Sequence, residues 1–234
     1  MYYRLPTEGH HLIHPTVRFR YDKIGLNTQS IMSSVIFNEN YTWMIAAWLV
    51  LMVASAGCDR LAVQDTLENV EVELIDQHDQ IVHFPKSFEG NVMLVGYVYT
   101  HCPDICPMIT YNMRDVQREL VDEEEFMLVS ISFDPDRDTP EILYDYAENY
   151  RLNQRNWRLL TGDRSDIENL LQKLKISTVK TPTRFTDDNT PIYFIDHTDK
   201  ITLIDQKGQI RRTYLGSELN TEEVIEDIRT LLKD

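Results

Sequence analysis

The sequence predicts an α/β fold: a central mixed sheet flanked by helices, with a short hairpin ahead of it. Three observations carry this. Short uninterrupted apolar runs alternate with stretches whose apolar residues recur at helical spacing. Two short runs of alternating polarity precede the first buried run. A strand pair and an amphipathic helix close the chain.

Each element follows from its residues. Val70-Glu-Val-Glu-Leu-Ile75 and Gln80-Ile-Val-His-Phe84 alternate, and Asp76 to Asp79 separates them, so they form the hairpin. Val92 to Tyr99 is apolar throughout and reads as a buried strand. Met108, Tyr111, Met113, Val116 and Leu120 then mark a helix over 108–120. Pro107 suits the first helical position, which makes Cys106 its cap. Phe126 to Phe133 is a second buried strand. Thr139 caps a helix with Pro140 in its first turn, ending near Tyr150. Trp157 to Leu160 is a short strand. Asp163 caps a helix whose apolar face is Ile167, Leu170, Leu171 and Leu174. Ile192–Ile195 and Ile201–Ile204 read as strands, and a turn at 206–209 leads into Ile210–Leu215. Asn220 and Glu223 resemble a capping box before a last helix bearing Val224, Ile225, Ile228, Leu231 and Leu232.

The chain has 234 residues, enough for one domain with a full core. A formal net charge of -15 argues against nucleic acid as a partner. Three cysteines are too few for a disulfide scaffold. Trp43 to Gly57 is uncharged and mostly apolar, yet shorter than the roughly 20 residues a spanning helix needs. It fits the apolar core of a signal peptide. Ala54, Ser55, Ala56 and Gly57 stand before Cys58, an arrangement similar to a bacterial lipoprotein signal, in which that cysteine is lipidated. Ser55 departs from the Leu usual at that place, and an uncleaved membrane anchor is the alternative. The expected organisation is therefore 1–40 unstructured or upstream of the true start, 41–58 signal or anchor, 59–68 linker and 69–234 folded domain. Either reading of the apolar segment places the domain outside the cytoplasm, tethered to a membrane.

Cys102 and Cys106 fall on the turn between the first buried strand and its helix. Helix N-termini present free N–H groups and favour negative charge, so a thiolate there is acidic. Such a thiolate is a nucleophile or a soft-metal ligand. Residues four apart share one side of a helical turn, so both sulfurs can face one point. From the spacing alone, a dithiol/disulfide redox pair and a metal site stand level. A thiol pair at this turn makes a thioredoxin-like fold the natural choice. Among the histidines, His10, His11 and His14 precede the apolar segment, His78 sits in the hairpin turn, His83 lies on an alternating strand and His101 adjoins Cys102. His197 comes just before the strand at 201–204, where a thioredoxin-like fold faces the dithiol turn.

Three separated motifs carry a family resemblance: Tyr99-Thr-His-Cys-Pro-Asp-Ile-Cys-Pro107, Ser130-Ile-Ser-Phe-Asp-Pro-Asp-Arg-Asp-Thr-Pro140 and Tyr193-Phe-Ile-Asp-His-Thr198. In this order and over about Val70 to Leu232, the chain resembles Sco/SenC-type copper-binding proteins of the thioredoxin superfamily. The resemblance implies one copper held by Cys102, Cys106 and His197. It implies help in assembling the binuclear copper site of cytochrome c oxidase, by copper delivery, by reduction of that subunit's cysteines, or by both. The implied partners are that subunit and either another copper chaperone or a thiol reductant. Asp196 is expected either to end its strand in a turn or to orient the imidazole, Asp104 to tune the dithiol or contact a partner, and Arg137 to pair with a neighbouring Asp.

Overall fold

The computed structural model describes residues 61–188 and 191–233. Its elements run β1 (Asp65–Thr66), β2 (Val72–Asp76), β3 (Ile81–Phe84), β4 (Val92–Val98), α1 (Ile105–Glu119), β5 (Phe126–Ser132), α2 (Pro140–Tyr150), β6 (Trp157–Thr161) and α3 (Arg164–Lys173). They continue with β7 (Thr178–Lys180), β8 (Arg184–Phe185), β9 (Pro191–Ile192), β10 (Ile195–His197), β11 (Ile201–Ile204), β12 (Gln209–Tyr214) and α4 (Thr221–Leu231).

Eight strands form one sheet in the order β1-β12-β11-β4-β5-β6-β2-β3. β4, β5 and β6 are parallel, and every other pairing is antiparallel. This is the mixed sheet the sequence predicts, with the β2–β3 hairpin at one edge. β4 is buried at every position, which is why it reads as an unbroken apolar run: parallel strands are covered on both faces. α1 lies close against β4 because Gly96 offers no side chain; a Cβ there would collide with Met113 Sδ and reach within 3.4 Å of Ile109. The turn into β12 uses Gly208 at φ 75°, a left-handed conformation open to glycine, while Asp205 Oδ1 accepts from the Lys207 and Gln209 amides.

The structure departs from the sequence reading in five places. The helix bearing the cysteines begins at Ile105, so Cys106 lies inside its first turn and Asp104 takes the cap position without a side-chain bond. Pro107 is tolerated there because first-turn N–H groups have no intrahelical partner. The stretch expected as a linker instead supplies β1, which pairs with β12, and buries Leu61 and Leu67. Ile192–Ile195 divides between β9 and β10 rather than forming one strand. Two small ribbons, β7–β10 and β8–β9, fill the excursion between α3 and β11. Asn220 does accept from the Glu223 amide at 3.2 Å, but the Glu223 carboxylate turns to Arg212 instead of closing a capping box. Cys58 and the segments 1–40 and 41–58 lie outside the described residues. Among the described residues no helix is long and apolar enough to cross a membrane.

Candidate metal centre

The end of β4 delivers the chain into a tight turn, closed by the Cys102 amide donating to Tyr99 O at 3.3 Å. This sets Cys102 half-exposed ahead of α1 and Cys106 fully buried in its first turn. β10 carries His197 to the same place. The two sulfurs and an imidazole nitrogen lie within 4.8 Å of one another, and Cys106 Sγ is 3.4 Å from His197 Nε2.

The imidazole is fixed by a backbone group. His197 Nδ1 lies 3.0 Å from Thr198 O, and a carbonyl only accepts. Nδ1 therefore carries the proton, and the bare Nε2 lone pair faces Cys106. Phe133 packs against the ring at 4.5 Å between centroids. Asp196, expected to orient the imidazole, is exposed and pairs across the ribbon with Val179. The Tyr99 hydroxyl accepts from the Ile195 amide at 3.2 Å, tying β10 to the cysteine turn; burial pushes that hydroxyl up to about 12.

The two thiols are unlike. A hydrogen bond from Cys106, helped by the Cys106 and Asp104 amides, lowers the Cys102 thiol to about 3 against its partial burial. Burial, reinforced by the negative Cys102, pushes the Cys106 thiol far up. Asp104 thus contributes through its backbone N–H, while its side chain is on an exposed residue.

The motif 134–139 builds the wall behind this site. Asp138 is fully buried and accepts from the Thr100 hydroxyl and the Ser132 hydroxyl, each at 2.6 Å, and from the Thr100 amide at 3.1 Å. Burial raises its carboxyl. Asp134 accepts from Tyr193 OH at 2.7 Å and from Arg137, the pairing expected for that arginine. Arg137 also lies over the Tyr193 ring at 3.6 Å. Neither aspartate joins the sulfurs. The Asp134–Arg137 pair was legible as a local one; the bonds to Tyr193 and Thr100 were not, because they depend on contacts far along the chain.

His101 turns to Thr100 Oγ1, His78 packs edge-on to Tyr144, and His83 is exposed on β3. Among the described residues, Cys102, Cys106 and His197 are the group able to hold a metal ion. An open cavity of about 410 Å³ beside them is lined by Tyr99, Cys102, Phe194 and His197 among others. Two thiolates and an imidazole are soft and intermediate donors, a set that suits copper in both oxidation states.

The family model for SCO1/SenC matches residues 63–233. This chain belongs to the SCO1/SenC family. The SCO1 protein homolog of Bacillus subtilis is 32% identical over 193 residues, covering 80% of this chain and 94% of that protein. The Bradyrhizobium japonicum ScoI structure with copper bound is 29% identical, with a TM-score of 0.60, covering 69% of this chain and 98% of that one. The BsSco structure, described as showing a disulfide switch in a Sco family member of the cytochrome c oxidase assembly proteins, is 27% identical with a TM-score of 0.57, covering 73% of this chain and 96% of that one. The thioredoxin-like fold of the family is the fold of this chain.

Proposed function

We propose that the protein is a copper carrier that holds one ion through Cys102, Cys106 and His197 and serves assembly of the copper site of cytochrome c oxidase. The observation that carries this reading is the convergence of three donors of the right softness within 4.8 Å, beside an open flank. Family membership and the copper-bound relative support it. Cys102 is ionised before metal arrives, so it captures the ion first. Cys106 gives up its proton on binding, and the Nε2 lone pair of His197 completes the set. Three protein ligands leave a position through which a recipient's thiol can enter, which permits hand-over by ligand exchange.

A second reading rests on the asymmetry of the thiols. A half-buried, ionised Cys102 beside a fully buried, protonated Cys106 also suits thiol–disulfide exchange. The Cys102 thiolate would attack a client disulfide and release one client thiolate. Cys106 would then displace the second, leaving the client reduced and a Cys102–Cys106 disulfide. Copper delivery is favoured because this exchange has no need of His197.

The proposal includes the N-terminal end. A lipidated Cys58 would tether the domain outside the cytoplasm and raise its effective concentration near an integral-membrane client. Intact mass of the membrane-extracted chain tests that part.

The main test is copper titration of the reduced full chain and of its Cys102→Ser, Cys106→Ser and His197→Ala variants. One-to-one binding is expected, with Cu(I) lost on either cysteine change. The His197 change should weaken Cu(II) far more than Cu(I). Binding indifferent to all three residues would end the copper reading and leave disulfide exchange.

A further inference from the structure

His197 is held to the rest of the site through the residues that follow it. Its Nδ1 donates to Thr198 O, which belongs to the peptide joining Thr198 to Asp199. The direction of that carbonyl is therefore set by where Asp199 is anchored. Asp199 Oδ1 accepts from the Gly216 amide at 2.9 Å and the Ser217 amide at 3.0 Å, and Oδ2 accepts from Ser217 Oγ at 2.5 Å. From the other side, Asn112 Nδ2 of α1 donates to Gly216 O at 2.8 Å and Ser217 O at 3.2 Å. The 216–217 backbone is thus gripped between α1, which carries Cys106, and the segment that carries His197.

Gly216 shows how close this grip is. A Cβ there would stand 2.8 Å from Ile109 Cγ1 and 2.9 Å from Asp199 Oδ1. Ile109 lies one turn beyond Cys106 on α1 and is fully buried. Any side chain at 216 would therefore wedge Asp199 away from the helix. Thr198 itself is tied elsewhere, to Ser177 through two bonds of 3.0 and 2.9 Å, so Asp199 is the link that refers His197 to α1.

We propose that Asp199 is a positioning residue for His197: its hold on the 216–217 backbone, shared with Asn112, fixes the Thr198–Asp199 peptide whose carbonyl aims the imidazole at Cys106. Asp199 touches neither sulfur and acts only through the histidine. A carboxylate suits the position because it can accept three bonds at once, two from amides and one from a hydroxyl.

The test has two arms on the full chain. The first is metal-free and reduced: nitrogen-15 NMR of the His197 ring. The parent is expected to show a single Nδ1–H tautomer, and Asp199→Ala and Gly216→Ala to show a mixture. An unchanged ring spectrum in a folded Asp199→Ala protein overturns the proposal. Should that variant not fold, Ser217→Ala, which removes one of the three bonds, carries the arm; a smaller shift is expected and no shift overturns the proposal. The second arm rests on the copper reading above. Asp199→Ala is expected to cost about tenfold in Cu(II) affinity, the low end of what supporting contacts to a metal ligand contribute. That loss should vanish when His197→Ala is already present. An equal loss in the His197→Ala background would show a general structural role and overturn the proposal. If the parent binds no copper, the function reading fails while the metal-free arm still decides on Asp199.

Discussion

At the scale of single residues, the site is a pair of thiols sharing one proton. Cys102 is held at about 3 and Cys106 is pushed up, so from about pH 3 into the alkaline range the pair carries one negative charge. The signs oppose each other. A thiol depressed in the folded state favours folding above its unfolded value near 8.5, and that favour is lost as pH falls towards 3. A raised thiol favours folding below about 8.5 and loses it as pH rises towards its folded value. Metal uptake reads the same asymmetry. Two ordinary thiols would release about two protons to Cu(I) at pH 7, whereas this pair should release about one, from Cys106. Calorimetry in buffers of different ionisation enthalpy measures it, and a count near two would contradict the pairing. The cysteines and His197 were legible as residue types at telling positions. The groups that aim them were not: Thr198 O is a backbone atom common to every residue, and Asp199 acts through a loop that meets it only in the fold.

Elements were legible in proportion to how much their own residues decide. β4 is buried at every position and β5 at all but Met127, so their apolar runs announce them. Thr139 caps α2 as expected, accepting from the Ile142 amide at 3.4 Å. β7 is exposed at all three positions, and β8 at both, so no alternation marks them; they exist because they pair across to β10 and β9. The end of the chain shows an element held by charge. Asp227 of α4 is fully buried and accepts from Arg212 at 2.6 Å and from Tyr214 OH at 2.8 Å, both on β12. Its spacing on α4 places it beside core residues, yet nothing in the sequence names its partners. Asp227→Ala leaves the Tyr214 hydroxyl short of its acceptor and the Arg212 guanidinium with Glu223 as its remaining carboxylate. Removing one partner of a fully buried pair costs about 3 kcal/mol or more, and with Glu223 retained the loss here should fall between that and the loss for an exposed ion pair. Urea unfolding should show that loss with an unchanged slope, and a change below about 0.5 kcal/mol, the size of an exposed pair, would mean the network is solvated.

Over the whole molecule the dominant electrostatic fact is the excess of acids. Residues 1–60 carry four acids, Glu8, Asp22, Glu39 and Asp59, against five bases, Arg4, Arg18, Arg20, Lys23 and Arg60, so the acidic excess lies wholly in residues 61–234. Two opposing effects of salt follow. Screening weakens exposed pairs such as Lys86–Glu71 and Arg118–Asp115, which lowers stability. It also weakens the mutual repulsion of the many unpaired carboxylates, which raises stability. Magnitudes decide between them. Exposed pairs contribute about 0–1 kcal/mol each, and the pairs that matter most, Arg212–Asp227 and Arg137–Asp134, involve buried carboxylates that salt screens least. Repulsion acts over all the surplus charges and is screened progressively as the screening length shortens to roughly 10 Å at 0.1 M salt. The thermal midpoint of the reduced, metal-free chain should therefore rise between about 10 mM and about 300 mM sodium chloride, over which the screening length falls from about 30 Å to well below 10 Å. A falling midpoint would show that the surface pairs outweigh the repulsion. The same charge bears on the proposed carrier role. On the copper-carrier proposal, the acidic domain docks fastest on a basic patch of its recipient, so the rate of the proposed copper hand-over should fall as salt rises, the opposite direction to stability. Measuring both in one salt series separates docking from folding, because no change in the folded fraction can make the two move apart.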